Sequence, residues 1–254
     1  MIDDIRLLHK DKVASTNDCL KQMAAKGEKE GVCLYADFQT RGKGRVGRSF
    51  FSQGDCAVYL SILLRPKLSI EDSLMLTVIA AVAIVESIKE CFDKEVSIKW
   101  VNDIFYGKKK ICGILTEGAL ADNNTRLDYA VVGIGINLFP FDNLPKELEA
   151  VAGTLFLEAE SKAFSYDDKI NMRKSLIDSI LKNFFGLYGD FDKKTFMESY
   201  RRHSMVIGKR VEYLNASVST GFIDVIDIND KGELVAVDEG QIKCFNTGEI
   251  SIRL

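Results

Sequence analysis

Eight residues, Arg41-Gly42-Lys43-Gly44-Arg45-Val46-Gly47-Arg48, hold four cations and three glycines. Glycine lets backbone N–H groups come close to a ligand and tolerates positive φ. Arginine and lysine supply charge-assisted hydrogen bonds to phosphate or carboxylate oxygens. Set between two strands, such a loop suits a polyanionic nucleotide. Composition alone leaves two other readings open, a solvated hairpin and a nucleic-acid contact. It is not a phosphate loop of the Walker type, because no Gly-Lys-Ser/Thr tail opens a helix.

Other segments carry residues that do chemistry. In Lys99-Trp100-Val101-Asn102-Asp103, the Asn102-Asp103 pair is polar and turn-like between two strands, either a plain turn or part of a site. Lys110 leads the apolar run Ile111-Cys112-Gly113-Ile114-Leu115, and a lysine at a strand mouth is often simply exposed. Trp100, the one tryptophan, reads as core ahead of ligand platform. In Val131-Val132-Gly133-Ile134-Gly135-Ile136-Asn137, glycine recurs at every second position, which marks close approach of a ligand or another backbone. Ser15-Thr16-Asn17 is a helix N-cap cluster, and the free N–H groups of a helix start also bind anionic or carbonyl oxygens.

The elements that must hold these residues follow from periodicity and punctuation. Ile5 to Val13 reads as a strand, Ser15 opens a helix that Gly27 ends, and Gly31 to Phe38 is the strand leading to the cationic loop. Cys56 to Leu64 is a strand closed by Arg65-Pro66. Ser69 opens a long helix through Glu90, with a wide apolar band at Leu74, Val78, Ala81, Val82, Val85 and Ile88. Strands follow at 96–100, 103–106, 110–117 and 127–136. Asn143 to Arg202 reads as helical, most strongly from Asp167 to Tyr188. Beyond Gly208 the chain turns β-rich, with short strands at 210–213, 217–228, 233–237, 241–245 and 249–254. Their number and length predict a small barrel. The expected fold is α/β (α+β), with a mixed sheet flanked by helices over 1–205 and a small β-domain over 206–254.

The 254 residues include 34 basic and 37 acidic side chains, a formal charge of −3, so no global basic field draws the protein to nucleic acid or anionic membrane. The N-terminal Met1-Ile2-Asp3-Asp4 lacks the apolar core of a signal peptide. The longest apolar stretch, Leu74 to Val85, is too short to span a bilayer. Cys19, Cys33, Cys56, Cys91, Cys112 and Cys244 are scattered, without a CxxC pair or Cys/His cluster, and read as reduced, buried thiols of a cytoplasmic protein. With only His9 and His203, a histidine-based triad or zinc site has little material.

Taken in order, the segments resemble the biotin–protein ligases. The resemblance rests on Ser15-Thr16-Asn17, on Gln39-Thr40 followed by Gly42 to Arg48, on Lys99 to Asp103, on Lys110 with Gly113-Ile114-Leu115, and on Gly133 to Asn137. The tail Gly248-Glu249-Ile250-Ser251 also matches, and almost the whole chain is covered. The resemblance implies a catalytic domain like that of the class II synthetase-like biotin and lipoate ligases, with an SH3-like C-terminal barrel. It implies ATP and biotin as substrates, Mg2+ as cofactor and biotinyl-5'-AMP as intermediate. The acceptor would be a lysine on a biotin carboxyl carrier domain, of acetyl-CoA carboxylase or of another biotin-dependent enzyme.

Carried over residue by residue, Ser15, Thr16, Asn17 and Gln39 would bind the ureido ring and neighbouring atoms of biotin. Lys43, Gly44 and Arg45 would hold the adenylate, with Arg48 supporting the loop and Gly42 a further binding residue. Lys110 would contact the biotin carboxylate and the adenylate linkage and, with Arg45 and Asp103, forms the expected catalytic set. Asn102 and Asp103 would lie near the nucleotide, with Asp103 on the magnesium. Phe50, Trp100, Gly113, Gly133 and Asn137 would line the pocket. The chain departs from the family pattern at Val101, where proline is usual, at Lys43, where arginine is usual, and at Phe50, where tryptophan is common. Lysine keeps the charge at 43 but loses the bidentate fork.

Some family members carry an N-terminal helix-turn-helix and act as repressors. With its first strand near Ile5, this chain is expected to be a ligase without sequence-specific DNA binding. A lipoate–protein ligase is the nearest rival reading, and a nucleic-acid-binding module is the more distant one. The acidic balance and the lack of interleaved aromatics weigh against the second. An edge strand of the main sheet would let two copies pair as a homodimer, although nothing in the sequence selects that state.

Overall fold

A computed structural model of the chain describes residues 5–47, 49–52, 54, 57–121, 126–215, 218–246 and 250–253. Strand β1 (Arg6–Val13) leads into helix α1 (Thr16–Ala25) and strand β2 (Val32–Gln39). Ser15 caps α1 from an extended conformation, its Oγ accepting from the Asp18 N–H. Gly27, at φ +86°, turns the chain out of the helix. A 3-10 turn at Arg45–Gly47 precedes β3 (Ala57–Leu64), all eight of whose residues are buried.

The long helix expected from Ser69 begins differently. Ser69 Oγ accepts from the Asp72 N–H and caps a 3-10 turn over Glu71–Ser73, and the α-helix proper, α2, runs Leu74–Phe92. It is apolar nearly all round, as a helix covered on several sides must be. Strands β4 (Ser97–Lys99), β5 (Asp103–Tyr106), β6 (Lys109–Leu120) and β7 (Leu127–Asn137) follow. Among the described residues these complete a seven-stranded sheet in the order β1-β2-β3-β7-β6-β5-β4. Only β1 and β2 pair in parallel, so the sheet is mixed, as expected.

The 143–202 region is less helical than its sequence suggests. It forms α3 (Lys146–Glu149), α4 (Glu158–Ser161), α5 (Tyr166–Gly189) and α6 (Phe196–Arg202). Residues 151–156 instead lie along the ends of β6 and β7. The Lys110 N–H donates to Val151 O, Gly153 N–H to Lys110 O, Leu155 N–H to Asn137 O and Phe156 N–H to Leu138 O. These hydrogen bonds tie the segment to the strand ends in place of a helix.

Strands β8 (Arg210–Asn215), β9 (Val218–Ile228), β10 (Leu234–Asp238), β11 (Gln241–Phe245) and β12 (Ile250–Arg253) make a separate antiparallel sheet, ordered β11-β10-β9-β8-β12. Its apolar residues Val211, Ile223, Val225, Ile228, Leu234 and Ala236 belong to the same core as α2, α5 and the outer face of the large sheet. Trp100 fastens the two sheets together, its buried indole N–H donating to Gly232 O at 2.9 Å. No helix among the described residues is long and apolar enough to cross a membrane. All five described cysteines are free. Cys33 and Cys112 are buried, and burial pushes the Cys33 thiol up to about 12, whereas Cys19 and Cys91 are half-buried and Cys244 is exposed.

Trp100→Phe keeps most of the ring volume and strands the Gly232 carbonyl. It should lower the stability measured by urea unfolding by about 1–3 kcal/mol, the cost of an unmet buried polar group.

Candidate functional site

Residues 113, 115 and 117 of β6, 131, 133, 135 and 137 of β7, and 59, 61 and 63 of β3 share one sheet face, because side chains alternate along paired strands. The opposite face carries Leu60, Ile62, Val132, Ile134, Ile136 and Ile114 into the main core. At one end of the first face, α1 packs through Leu20 and Ala24 on Leu34, Leu63 and Val131. Beyond that, Gly113 and Gly135 face each other across the β6–β7 pair, and Gly133 follows beside Leu115. The missing side chains open a groove whose length from Gly133 to Asn137 is about 13 Å, at roughly 3.3 Å per residue.

Loop and helix side chains rest on this bare floor. A Cβ at Gly135 would come 2.7 Å from the Phe50 ring, and one at Gly133 would collide with the Asn17 amide. Phe50 also meets Tyr59 edge to face, with ring centroids 6.5 Å apart. Its N–H donates to Gly42 O, and a Cβ at Gly42 would stand 2.5 Å from the Phe50 carbonyl, so the loop closes on itself only with glycine there.

At the Gly133 end the groups are amides and hydroxyls. Gln39 Oε1 accepts from the Thr16 N–H at 2.8 Å and from Thr16 Oγ1 at 3.1 Å. Ser61 Oγ lies 2.7 Å from Thr16 Oγ1 and 2.6 Å from Asn17 Oδ1. Asn17 Nδ2 donates to Glu117 Oε2 at 2.9 Å. Ser15, Thr16 and Asn17 are each less than 5% exposed, so a polar ring entering here would meet preset donors and acceptors.

The other end gathers charge. Lys110 Nζ is 2.6 Å from Asp103 Oδ1. That approach is set by charge rather than alignment, because the buried Asp103 Oδ1 has no hydrogen-bond partner of acceptable geometry. Arg45 Nη1 donates to Asn102 Oδ1 at 3.2 Å, and Asn102 Nδ2 donates to Ile114 O at 2.9 Å, which fixes the amide. Asn137 Nδ2 donates to Gly153 O, leaving a buried Asn137 Oδ1 without a donor. An orphaned acceptor, Asn137 Oδ1, in a groove beside cations suits a ligand that carries both anionic groups and N–H or O–H donors.

Lys43, the cation in an arginine position, turns to α1, where its Nζ is 2.5 Å from Asp18 Oδ1. Burial works against the Asp18 carboxylate, but the hydrogen bond and charge of Lys43, then Lys21, outweigh it and hold the carboxyl below its ordinary value.

The fold therefore brings together Ser15, Thr16, Asn17, Gln39, Gly42, Arg45, Phe50, Asn102, Asp103, Lys110, Gly113, Gly133 and Asn137. Gly44 lies in the same loop, between Lys43 and Arg45, and is half-buried. Trp100 is drawn instead into the core beneath the Asn102-Asp103 turn, with its indole committed to Gly232. Arg48 lies outside the described residues, as do Cys56 and the Gly248-Glu249 part of the tail match.

Sequence reasoning missed Ser61, Asp18, Lys21 and Glu117. Ser61 had a signal, as the hydroxyl in an otherwise apolar strand, and so had Glu117, two residues beyond Leu115 on the glycine face. Away from the groove, His9, Asp11 and Asp37 bring ligand-type atoms within 4.8 Å of one another, with Asp37 already engaged by His9 and Arg173.

Comparison with known proteins agrees with this geometry. The model of the biotin/lipoate A/B protein ligase family matches residues 11–137. The bifunctional ligase/repressor BirA of Bacillus subtilis is 32% identical over 97% of this chain and 74% of its own length. A biotin–[acetyl-CoA-carboxylase] ligase of Mycobacterium tuberculosis is 25% identical over 93% of this chain and 85% of its own. The structure of a biotin protein ligase from Aquifex aeolicus in complex with biotin and ATP aligns over 98% of both chains, at 29% identity and a TM-score of 0.78. The chain belongs to the biotin/lipoate A/B protein ligase family and, within it, to the biotin–protein ligase enzymes.

Because the folded Asp18 carboxyl titrates below its ordinary value of 3.8, its pairing with Lys43 and Lys21 stabilises fully above that value and is lost as pH falls through the folded one. Urea unfolding at a series of pH values should show Asp18→Asn less stable than wild type by a constant amount above about pH 5, with the two curves converging in acid.

Proposed function

We propose that the groove activates biotin with ATP and passes it to a lysine of a biotin carboxyl carrier domain. The observation that carries the reading is the pairing, along one glycine-floored groove, of an amide and hydroxyl end with a cationic end where Lys110 and Arg45 stand beside the unpartnered buried acceptor Asn137 Oδ1. Ser15, Thr16, Asn17 and Gln39 would receive the ureido ring. The acyl chain would run over Gly133 and Gly135 beside Phe50, and Asn137 Oδ1 would accept from a donor on the nucleotide. The Aquifex aeolicus relative, described in complex with biotin and ATP, supports this choice of ligands over lipoate.

The chemistry follows from charge. A carboxylate is a poor acyl donor at neutral pH. Attack of its oxygen on the α-phosphorus of ATP forms the mixed anhydride biotinyl-5'-AMP and breaks the bond to pyrophosphate, which leaves with that electron pair. Two anions must meet for this. Lys110 and Arg45 would offset their repulsion and the charge growing at phosphorus, with Lys43 and Arg48 on the same loop. In the second step the carrier lysine attacks the acyl carbon, AMP leaves, and the amine proton passes to solvent or to Asp103. No protein nucleophile is required. His203 is engaged with Ser199 O and His9 with Asp37, both away from the groove.

The donor set also fits magnesium. Mg2+ takes one or two protein carboxylates and completes its shell with phosphate and water, and Asp103 offers a carboxylate at the cationic end, its charge balanced by Lys110. Bound there with ATP, the ion would neutralise phosphate charge. Residues 1–205 would form the catalytic domain and 206–254 the smaller β-domain.

The direct test is labelling of a purified carrier domain with radiolabelled biotin, ATP and magnesium. Label that appears with lipoate and not with biotin would overturn the reading. Lys110→Ala should depress biotin-dependent pyrophosphate exchange by about 100-fold or more, the scale of losing one transition-state donor worth ~2.7–4 kcal/mol. Arg45→Ala should leave the fold intact by circular dichroism while the adenylate escapes, seen as free biotinyl-AMP in the filtrate and weaker carrier labelling.

A further inference from the structure

Glu117 lies outside the groove lining and touches it through one residue. It sits on β6 two positions past Leu115, on the same face as Gly113. Its two oxygens serve different partners: Oε2 accepts from Asn17 Nδ2 at 2.9 Å, and Oε1 lies 2.6 Å from Lys21 Nζ. Asn17 Nδ2 also approaches Leu115 O at 3.3 Å. On the other side of the amide, Ser61 Oγ donates to Asn17 Oδ1 at 2.6 Å.

These partners fix the sense of the Asn17 amide. An ionised carboxylate and a backbone carbonyl only accept, so both demand the NH2 group. Flipping the amide would set Oδ1 against both acceptors and turn the NH2 toward Ser61. A buried group left so mismatched is costly. Asn17 is 4% exposed and lies over Gly133, so its orientation decides what the amide end of the groove offers a ligand. Lys21 keeps the arrangement electrically balanced. Burial disfavours its ammonium, but the Glu117 hydrogen bond and charge, with Asp18, outweigh that and raise its affinity for the proton.

We infer that Glu117 is a positioning residue for the ligase reaction, setting through the Asn17 amide the donor and acceptor pattern that receives the polar ring of the acid substrate. This rests on the assignment of the amide end to the biotin ring.

The test is a double-mutant cycle read by pyrophosphate exchange, with KM for biotin and for ATP measured separately and thermal melts alongside. Glu117→Leu should raise KM for biotin about tenfold, equivalent to ~1.4 kcal/mol, and leave KM for ATP unchanged. In an Asn17→Ala background it should add nothing further, because its effect passes through that amide. A polarity swap gives an independent reading should Glu117→Leu fail to fold. Asn17→Asp alone opposes two carboxylates and should weaken biotin, and adding Glu117→Gln supplies a donor and should recover most of the loss. Additive effects in the cycle, equal changes in both KM values, or no recovery in the swap would overturn the role of Glu117 while leaving the ligase reading standing. A wild-type chain that shows no biotin-dependent exchange overturns both.

Discussion

A sheet interior is normally filled from both sides, and here one side must stay partly bare. Gly113, Gly133 and Gly135 omit the side chains that would occupy that face, so the Phe50 ring and the Asn17 amide can lie directly on backbone. Everything else at the site depends on that omission. A methyl group at Gly133 would displace the amide and, with it, the hydrogen bonds to Ser61 and Glu117. Strands poor in side chains pack weakly on that face, and the opposite face compensates. Leu60, Ile62, Val132, Ile134 and Ile136 are all within 3% of complete burial against the α2 and α5 layer. The same strands therefore supply stability on one side and space on the other, and the two-residue period of a β-strand keeps these tasks apart.

That period is also why so much could be read from sequence. Gly133-Ile134-Gly135-Ile136 shows a strand with one apolar face and one empty one before any partner is known. Ser15 marks the helix start that the structure confirms with the Asp18 N–H bond. The cationic loop, ambiguous by composition, gains a setting only from its partners. Arg45 meets Asn102, which is 57 residues away. Such pairings are invisible to local pattern. Glu117 meets Asn17 across 100 residues and Ser61 meets it across 44, so neither announces a role where it stands in the chain. The 151–156 stretch misled for a related reason. Its neighbours favour helix, but its backbone hydrogen bonds go to the ends of β6 and β7, and tertiary hydrogen bonds outweigh weak local propensity. Trp100 was legible as core and also matched a family segment, and its bond to Gly232 places it between the sheets.

Three described cations around the groove each have an internal acceptor. Lys43 has Asp18, Lys110 has Asp103, and Arg45 has Asn102. Unbalanced positive charges so close together would repel and spread into solvent, and a ligand would then have to reorder them at an entropic cost. Internal partners hold them near the positions where anions are to arrive. The partners are also easily exchanged. Lys110 and Asp103 are 35% and 23% exposed at their side chains, Lys43 and Asp18 40% and 28%. Pairs at that degree of exposure are worth only about 0–1 kcal/mol. A polyphosphate can take over each cation at little cost and gains more from several at once than any single carboxylate provides. The amide end follows the opposite logic. Its bonds join the buried neutral groups of Gln39, Thr16, Ser61 and Asn17, and charge enters the network only at its half-buried end, where Glu117 is balanced by Lys21. One end of the groove is thus built to keep its hydrogen-bond pattern and the other to exchange its partners. That suits a ligand with a neutral polar head and a carboxylate that must meet phosphate.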